Sequence, residues 1–128
     1  MTYQYDEISD MIGVTMIRVL GAESGNDEMV FESENGTKYI FYHSQDCCES
    51  VYLDEIHGDI HWLVGSPITQ AEEISNEPPP ESESRFKDDS ETWTFYKFAT
   101  VKGSVTVRWY GTSNGYYSER VDFRIERT

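Results

Sequence analysis

Hydrophobic and polar residues alternate along most of this chain, as expected for strands that bury one face and expose the other. The first strand is predicted at residues 14–20, which are rich in β-branched side chains. Two further strands, at residues 28–33 and 38–43, flank an Asn-Gly pair. That pair is the strongest short signal for a β-hairpin, because the favoured two-residue turn needs positive φ angles at both of its residues.

The turn length of this hairpin decides which residues face each other. With a two-residue turn, Phe31 lies opposite Ile40 and Met29 lies opposite Tyr42. We therefore expect these four side chains to form one apolar face of the core.

The middle of the chain predicts a short strand, a short helix and a third element. Residues 51–53 are apolar and fit a strand. Over residues 54–64 the apolar side chains recur at the spacing of one helical face, at Ile56, Ile60, Leu63 and Val64. Gly58 weakens that helix by about 1 kcal/mol relative to alanine. Residues 68–75 fit either a strand or a helix, and we favour the strand.

The last third of the chain predicts a three-stranded antiparallel meander, with strands at residues 93–101, 104–110 and 116–125. A two-residue turn at Lys102-Gly103 connects the first two strands and aligns their apolar sides. This segment is the clearest structural prediction that the sequence supports.

Together these elements predict an α+β protein that is predominantly antiparallel β, with about seven or eight strands, one short helix near residues 54–64 and the C-terminal meander. In the predicted register Tyr96 lies opposite Trp109 on the apolar side. The 128 residues fit a single domain. Residues 76–90 are acidic and proline-rich, and we expect them to form a mobile surface loop of that domain.

Charge is divided unevenly along the chain. Residues 1–92 carry 21 Asp and Glu against 4 Lys and Arg, a formal charge of −17, whereas residues 93–128 carry 3 against 6, a formal charge of +3. Phosphate contacts need clustered cations, so the larger part argues against direct nucleic-acid binding and favours a partner protein with a basic surface. No apolar run approaches the roughly 20 residues that span a bilayer, and no signal peptide is recognised, so we expect a cytoplasmic protein without membrane contact.

The polar face of the predicted meander is both basic and aromatic. It combines the rings of Trp93 and Phe95 with the side chains of Lys97, Arg108, Tyr110, Arg120 and Arg124. Such a surface resembles a stacking platform for single-stranded nucleic acid or a nucleotide. The alternative, which we favour, is that acidic residues of the same chain cover or neutralise these cations.

Residues with metal-binding or nucleophilic chemistry cluster between positions 43 and 61. Cys47 and Cys48 are adjacent, whereas zinc-binding pairs normally have two to four residues between them, so we expect packed thiols and no disulfide, metal or cofactor. His57 and His61 have the spacing of one helical face, but the cysteines do not complete a ligand set. Acidic neighbours oppose a reactive thiolate, and no carboxylate pair stands out, so no catalytic residue is assigned.

Two segments have distinctive sequences: QDCCESVY at residues 45–52, and WTFYKFAT followed by VRWYGTSNGYYSE within residues 93–119. They resemble a family of uncharacterised small proteins encoded by tailed phages and prophages. The resemblance extends over most of residues 13–123. It implies a phage-borne accessory protein acting in a bacterial cytoplasm, and it implies no catalytic residues.

These observations predict a non-enzymatic acidic accessory protein that binds and inhibits or redirects a host protein, such as a defence or nucleic-acid-handling factor. The expected partner is a host protein with a basic surface, bound without direct nucleic-acid contact. The alternative from another class is a small-ligand or nucleotide-binding module. In that alternative the ligand is bound by Lys97, Arg108, Tyr110, Arg120 and Arg124.

Overall fold

The computed structural model describes residues 7–45, 47–76, 90–113 and 118–127. This described part contains two four-stranded sheets in which all paired strands are antiparallel. The strands are β1 (Met16–Leu20), β2 (Glu28–Ser33), β3 (Lys38–Tyr42), β4 (Ser50–His57), β5 (Gln70–Asn76), β6 (Ser90–Thr100), β7 (Gly103–Ser113) and β8 (Asp122–Glu126). The first sheet has the order β1-β2-β3-β8 and the second the order β4-β7-β6-β5. The predicted, predominantly antiparallel β fold is confirmed.

The two sheets stack face to face around one aromatic core. Ring centroids lie 5.0 Å apart between Phe31 and Phe98, and 4.8 Å apart between Phe41 and Tyr96. These four side chains, and Trp109 of β7, are at most 1% exposed. Full burial of a large apolar side chain stabilises a fold by about 1.5–3 kcal/mol. The inner faces of the strands therefore hold the sandwich together, and the outer faces are left for other contacts.

The β2–β3 hairpin differs by one residue from the predicted register. Phe31 pairs with Tyr39 and not with Ile40. The loop has three residues, 34–36, and among them only Gly36 has a positive φ, of 90°. A type I turn followed by such a glycine is the usual three-residue hairpin loop. Because a slip of one residue exchanges the two faces of a strand, Ile40 lies on the outer side of β3.

The predicted helix at residues 54–64 is a strand followed by one 3-10 turn. Strand β4 continues to His57, and the turn occupies Ile60–Leu63. Gly58 between them has a φ of 110°, and a Cβ at this position would lie 2.7 Å from the carbonyl oxygen of Ser104. Pairing of β4 with β7 overrides the helical spacing, because the ladder satisfies backbone groups that a short helix leaves open.

The predicted C-terminal meander is correct for two strands and wrong for the third. Strands β6 and β7 form the predicted hairpin, but β8 pairs with β3 in the first sheet, and the other neighbour of β7 is β4. The turn is Val101-Lys102, one residue earlier than predicted, so Trp109 pairs with Thr94 and not with Tyr96. Because the resulting shift is two residues, each side chain of the hairpin keeps its predicted face.

Strand β8 joins the first sheet because its apolar side completes that part of the core. The ring of Phe123 lies 4.9 Å from Phe41 and 6.4 Å from Tyr39, measured between centroids. Alternation along residues 121–125 predicts an apolar side, but it does not say which sheet receives it.

Strand β5 confirms the strand that was favoured at residues 68–75. The predicted mobile loop at residues 76–90 lies outside the described residues, apart from its two end positions. Within the described ranges, no helix is long and apolar enough to cross a membrane.

Candidate functional site

The outer face of the second sheet carries a row of aromatic rings. The strand register aligns Tyr52 of β4, Tyr110 of β7 and Trp93 of β6 directly across three strands. Ring centroids are 5.9 Å apart between Tyr52 and Tyr110, and 4.4 Å apart between Tyr110 and Trp93. We call these three residues the aromatic row. Phe95 lies on the same face two residues along β6, and all four side chains are partly exposed.

Arg108 lies beside the aromatic row and is held by acids of its own sheet. Its Nη2 atom lies 2.6 Å from Asp54 Oδ2 and 2.8 Å from Glu55 Oε2, and its Nε donates to the same Asp54 oxygen at 2.8 Å. A bulge in β4 after Leu53 brings both acids opposite Arg108. The guanidinium carbon is 4.8 Å from the ring centroid of Trp93, which is a cation–π geometry.

Acidic side chains flank the aromatic row on both sides. Asp54 and Glu55 together carry two negative charges against the single positive charge of Arg108. On the other side, Glu91 accepts a hydrogen bond from the Tyr110 hydroxyl. Burial raises the pKa of Tyr110 to about 12, and the charge and hydrogen bond of Glu91 add to this shift. Tyr110 is therefore a neutral hydrogen-bond donor at physiological pH.

The five residues predicted to bind a ligand do not share one face. Three of them lie together on the outer face of the second sheet: Lys97, Arg108 and Tyr110. Arg124 lies on the outer face of the first sheet, where its guanidinium carbon is 5.2 Å from the ring centroid of Tyr42. Arg120 lies in the segment before β8, where its side chain is 77% exposed and 3.6 Å from Asp122. Arg108 is neutralised by acids of the same chain, as the favoured interpretation of this face predicts.

A second polar cluster lies where the segment after β3 meets the segment before β8. His43 Nε2 lies 2.8 Å from Glu49 Oε2, and His43 Nδ1 lies 2.8 Å from the carbonyl oxygen of Arg120. Glu49 also accepts a hydrogen bond of 2.8 Å from the amide of Cys47. The side chains of His43 and Glu49 are at most 3% exposed, so this cluster ties the two segments together. The sequence does not indicate this cluster, because the contact between His43 and the carbonyl oxygen of Arg120 joins residues 77 positions apart.

The prediction of two packed thiols is wrong. Cys47 and Cys48 are joined by a disulfide, and both residues are exposed. The prediction assumed an extended backbone, on which neighbouring side chains point to opposite faces. The two cysteines lie instead in a bend between strands, where this alternation does not apply. The side chains of His57 and His61 are 64% and 87% exposed, and each lies near an acid two residues away. Over the described ranges, no group of three or more histidine, cysteine or acidic side chains is arranged to hold a metal.

The fold and this surface define an acidic antiparallel β-sandwich with an aromatic row on one outer face. The chain belongs to the family of the domain of unknown function DUF7448, whose model matches residues 9–123. The matched range contains the whole aromatic row and the acids around it. No curated protein and no solved structure matches the chain.

Proposed function

We propose that this protein is a non-enzymatic accessory protein of phage or prophage origin, which binds a host protein through a basic surface of that partner and inhibits or redirects it. The observation that supports this function best is the composition of the outer face of the second sheet. It combines two tyrosines, a tryptophan and an arginine, the residue types that dominate binding energy at protein interfaces. Partly exposed rings of this kind gain free energy when a partner excludes water from them.

The charge of the chain supports a basic partner. Its formal net charge is −14, and an array of like charges steers oppositely charged surfaces into contact and speeds association. The same charge repels nucleic acid from any groove that the protein occupies. A bound partner is therefore kept from contacting nucleic acid through that groove.

The nucleotide-binding alternative has less support because its cations are dispersed or already paired. Arg108 directs its donors to Asp54 and Glu55, so a phosphate placed there lies next to two carboxylates and is repelled by them. Lys97 lies opposite Glu72 of β5 in the strand register. The two remaining arginines of that alternative lie away from this face, so the cations do not converge on one phosphate.

Affinity purification of the tagged protein from a bacterial host lysate, followed by mass spectrometry, tests the proposed function. We expect one stoichiometric protein partner whose association rate with this chain falls steeply as salt is added, because exposed charges are screened. Copurification of a nucleotide without a protein would instead support the alternative. A partner whose association rate is independent of salt would contradict the electrostatic part of the proposal.

A matched pair of triple variants separates the local effect of charge from the total charge. Neutralising three acids on the outer face of the second sheet (Glu55→Gln, Glu72→Gln and Glu91→Gln) should slow association and weaken its salt dependence. Neutralising three acids on the outer face of the first sheet (Glu28→Gln, Glu32→Gln and Glu126→Gln) changes the net charge equally. This control should have the smaller effect on the association rate, because these acids lie far from the docked partner.

A further inference from the structure

We propose that the aromatic row receives an arginine side chain of the partner protein, which stacks on the partly exposed rings and pairs with the acids beside them. This inference rests on the proposed function and specifies the chemistry by which the partner is recognised. It concerns the rings of Tyr52, Tyr110 and Trp93 and the carboxylate of Glu91.

The sheet already holds one guanidinium in this manner. Arg108 places its guanidinium carbon 4.8 Å from the ring centroid of Trp93, while the carboxylates of Asp54 and Glu55 bind its nitrogen atoms at 2.6–2.8 Å. A planar guanidinium stacks on aromatic rings and gives up its hydration more readily than an ammonium group does. The internal pair therefore shows which cation this environment suits.

The rest of the row offers a second position of the same kind. Tyr52 and Tyr110 are partly exposed and lie next to each other, on the side of Trp93 that leads to β4. The strand register places Glu91 one row away on one side and Glu55 one row away on the other. A cation above Tyr110 thus lies between two acid-bearing rows. Glu91 already accepts the Tyr110 hydroxyl, but a carboxylate has about four acceptor positions, so it is able to bind a guanidinium as well.

The charges on this face also select a cation. Its described strand residues carry acids at Asp54, Glu55, Glu72 and Glu91 and cations at Lys97 and Arg108. Acids therefore outnumber cations on the face, and Glu55 and Glu91 lie in the rows on either side of the aromatic row. A partner arginine gains both the stacking contact and the attraction of these carboxylates, whereas a phosphate is repelled by the carboxylates.

Titration with short peptides by calorimetry tests this inference directly. The probes are a peptide of alternating arginine and glycine, a matched lysine and glycine peptide of equal charge, and oligothymidylate. We expect the arginine peptide to bind about fivefold more tightly than the lysine peptide. Both peptides are attracted by the acids, but only the planar guanidinium also stacks well on the rings. Trp93→Ala and Tyr110→Ala should each weaken its binding by about five- to tenfold. Tyr42→Ala, which removes a ring from the outer face of the first sheet, should change it by less than about twofold.

Two further variants keep the test decisive if removal of a ring unfolds the sheet. Glu91→Gln preserves the shape of the side chain and should weaken binding of the arginine peptide, whereas Glu126→Gln on the first sheet should not. Arg108→Gln should strengthen binding of the arginine peptide, because it frees two carboxylates and the face of Trp93. If the face instead binds phosphate, Arg108→Gln should weaken the binding of oligothymidylate, because it removes a cation. Circular dichroism and melting curves establish that each variant is folded.

Three results would overturn the inference. They are equal affinity for the arginine and lysine peptides, equal sensitivity to Tyr42→Ala and to the row variants, and tighter binding of oligothymidylate than of either peptide. If a captured host protein binds the row variants as tightly as the parent chain, the inference fails while the proposed function stands. If no host protein is captured, the proposed function fails, and the peptide titration still decides whether the row binds arginine.

Discussion

The two sheets of this sandwich share one core, but their outer faces differ in what they offer to a partner. Across the first sheet, one row of paired residues alternates in charge: Arg18, Glu32, Lys38 and Glu126. The Nε atom of Arg18 lies 3.1 Å from Glu32, so charges on this face are matched between neighbouring strands. Across the second sheet, the corresponding positions include the aromatic row, whose rings are only partly covered.

This difference identifies the aromatic content of a face, more than its charge, as the feature that separates the two. Both outer faces carry slightly more acids than cations, and each has an arginine next to an aromatic ring. An exposed ion pair such as that of Arg18 and Glu32 contributes about 0–1 kcal/mol and is well satisfied in water. Partly exposed tyrosine and tryptophan rings retain apolar area that a partner is able to cover. We therefore expect a partner to bind the second sheet.

The largest effect is expected in the core that both faces share. Trp109 is 1% exposed and points inward from β7, so Trp109→Ala should lower the free energy of unfolding by about 3–5 kcal/mol. Trp109→Phe is the matched control and should cost less, because within the described ranges the buried Nε1 of Trp109 has no hydrogen-bond partner to lose. Urea melts measure both. A loss below about 1 kcal/mol for the alanine variant would place Trp109 outside the core.

A smaller effect separates the two faces. The side chain of Arg108 is 31% exposed and binds two acids, whereas that of Arg124 is 50% exposed and binds Glu126 at 3.3 Å. Arg108→Ala should therefore lower the free energy of unfolding by about 1 kcal/mol, and Arg124→Ala by about 0.5 kcal/mol or less. Urea melts in low and high salt compare the two variants. Equal losses of stability would mean that pairing with two acids of β4 makes Arg108 no more stabilising than Arg124.

The last effect is a dependence on pH that belongs to Tyr110, and it leaves stability at neutral pH unchanged. Its pKa in the folded protein is about 12, above the ordinary value of about 10, because partial burial and the charge of Glu91 both oppose ionisation. The folded state therefore holds this proton more firmly, so the contribution to stability is present below pH 10 and is lost as the pH rises to about 12. Tyr110→Phe should remove this loss. Phenolate absorbance and urea melts follow it, and a Tyr110 titration near pH 10 would argue against the buried hydrogen bond.

Local alternation was sufficient to predict the faces of β6 and β7. Trp109 points into the core and Arg108 points outward, as period two requires, even though the turn begins one residue earlier than predicted. The same pattern could not identify the neighbours of these strands. Asp54 is 54 residues from Arg108 in the chain, and it reaches the guanidinium only because a bulge in β4 turns it outward.

Tertiary pairing explains why other predictions were wrong. Residues 54–64 have helical spacing of apolar side chains, but the backbone of residues 55–57 pairs with β7. Residues 116–125 are predicted to complete the meander, yet β8 pairs with β3, and Phe123 packs on Phe41 within the first sheet. The buried pair of His43 and Glu49 has no local signal at all, since the contact that completes it comes from residue 120. Choice of partner strand is a property of the whole core and not of any one segment.

Mapping the bound face by NMR tests the central claim most directly. Amide signals of this protein are recorded with increasing amounts of the captured host partner, or of the arginine peptide if no partner is captured. The account predicts that the largest changes occur in β4, β6 and β7, around the aromatic row, while β1, β2 and β3 change little. A footprint centred on the charged ladder of the first sheet would contradict it.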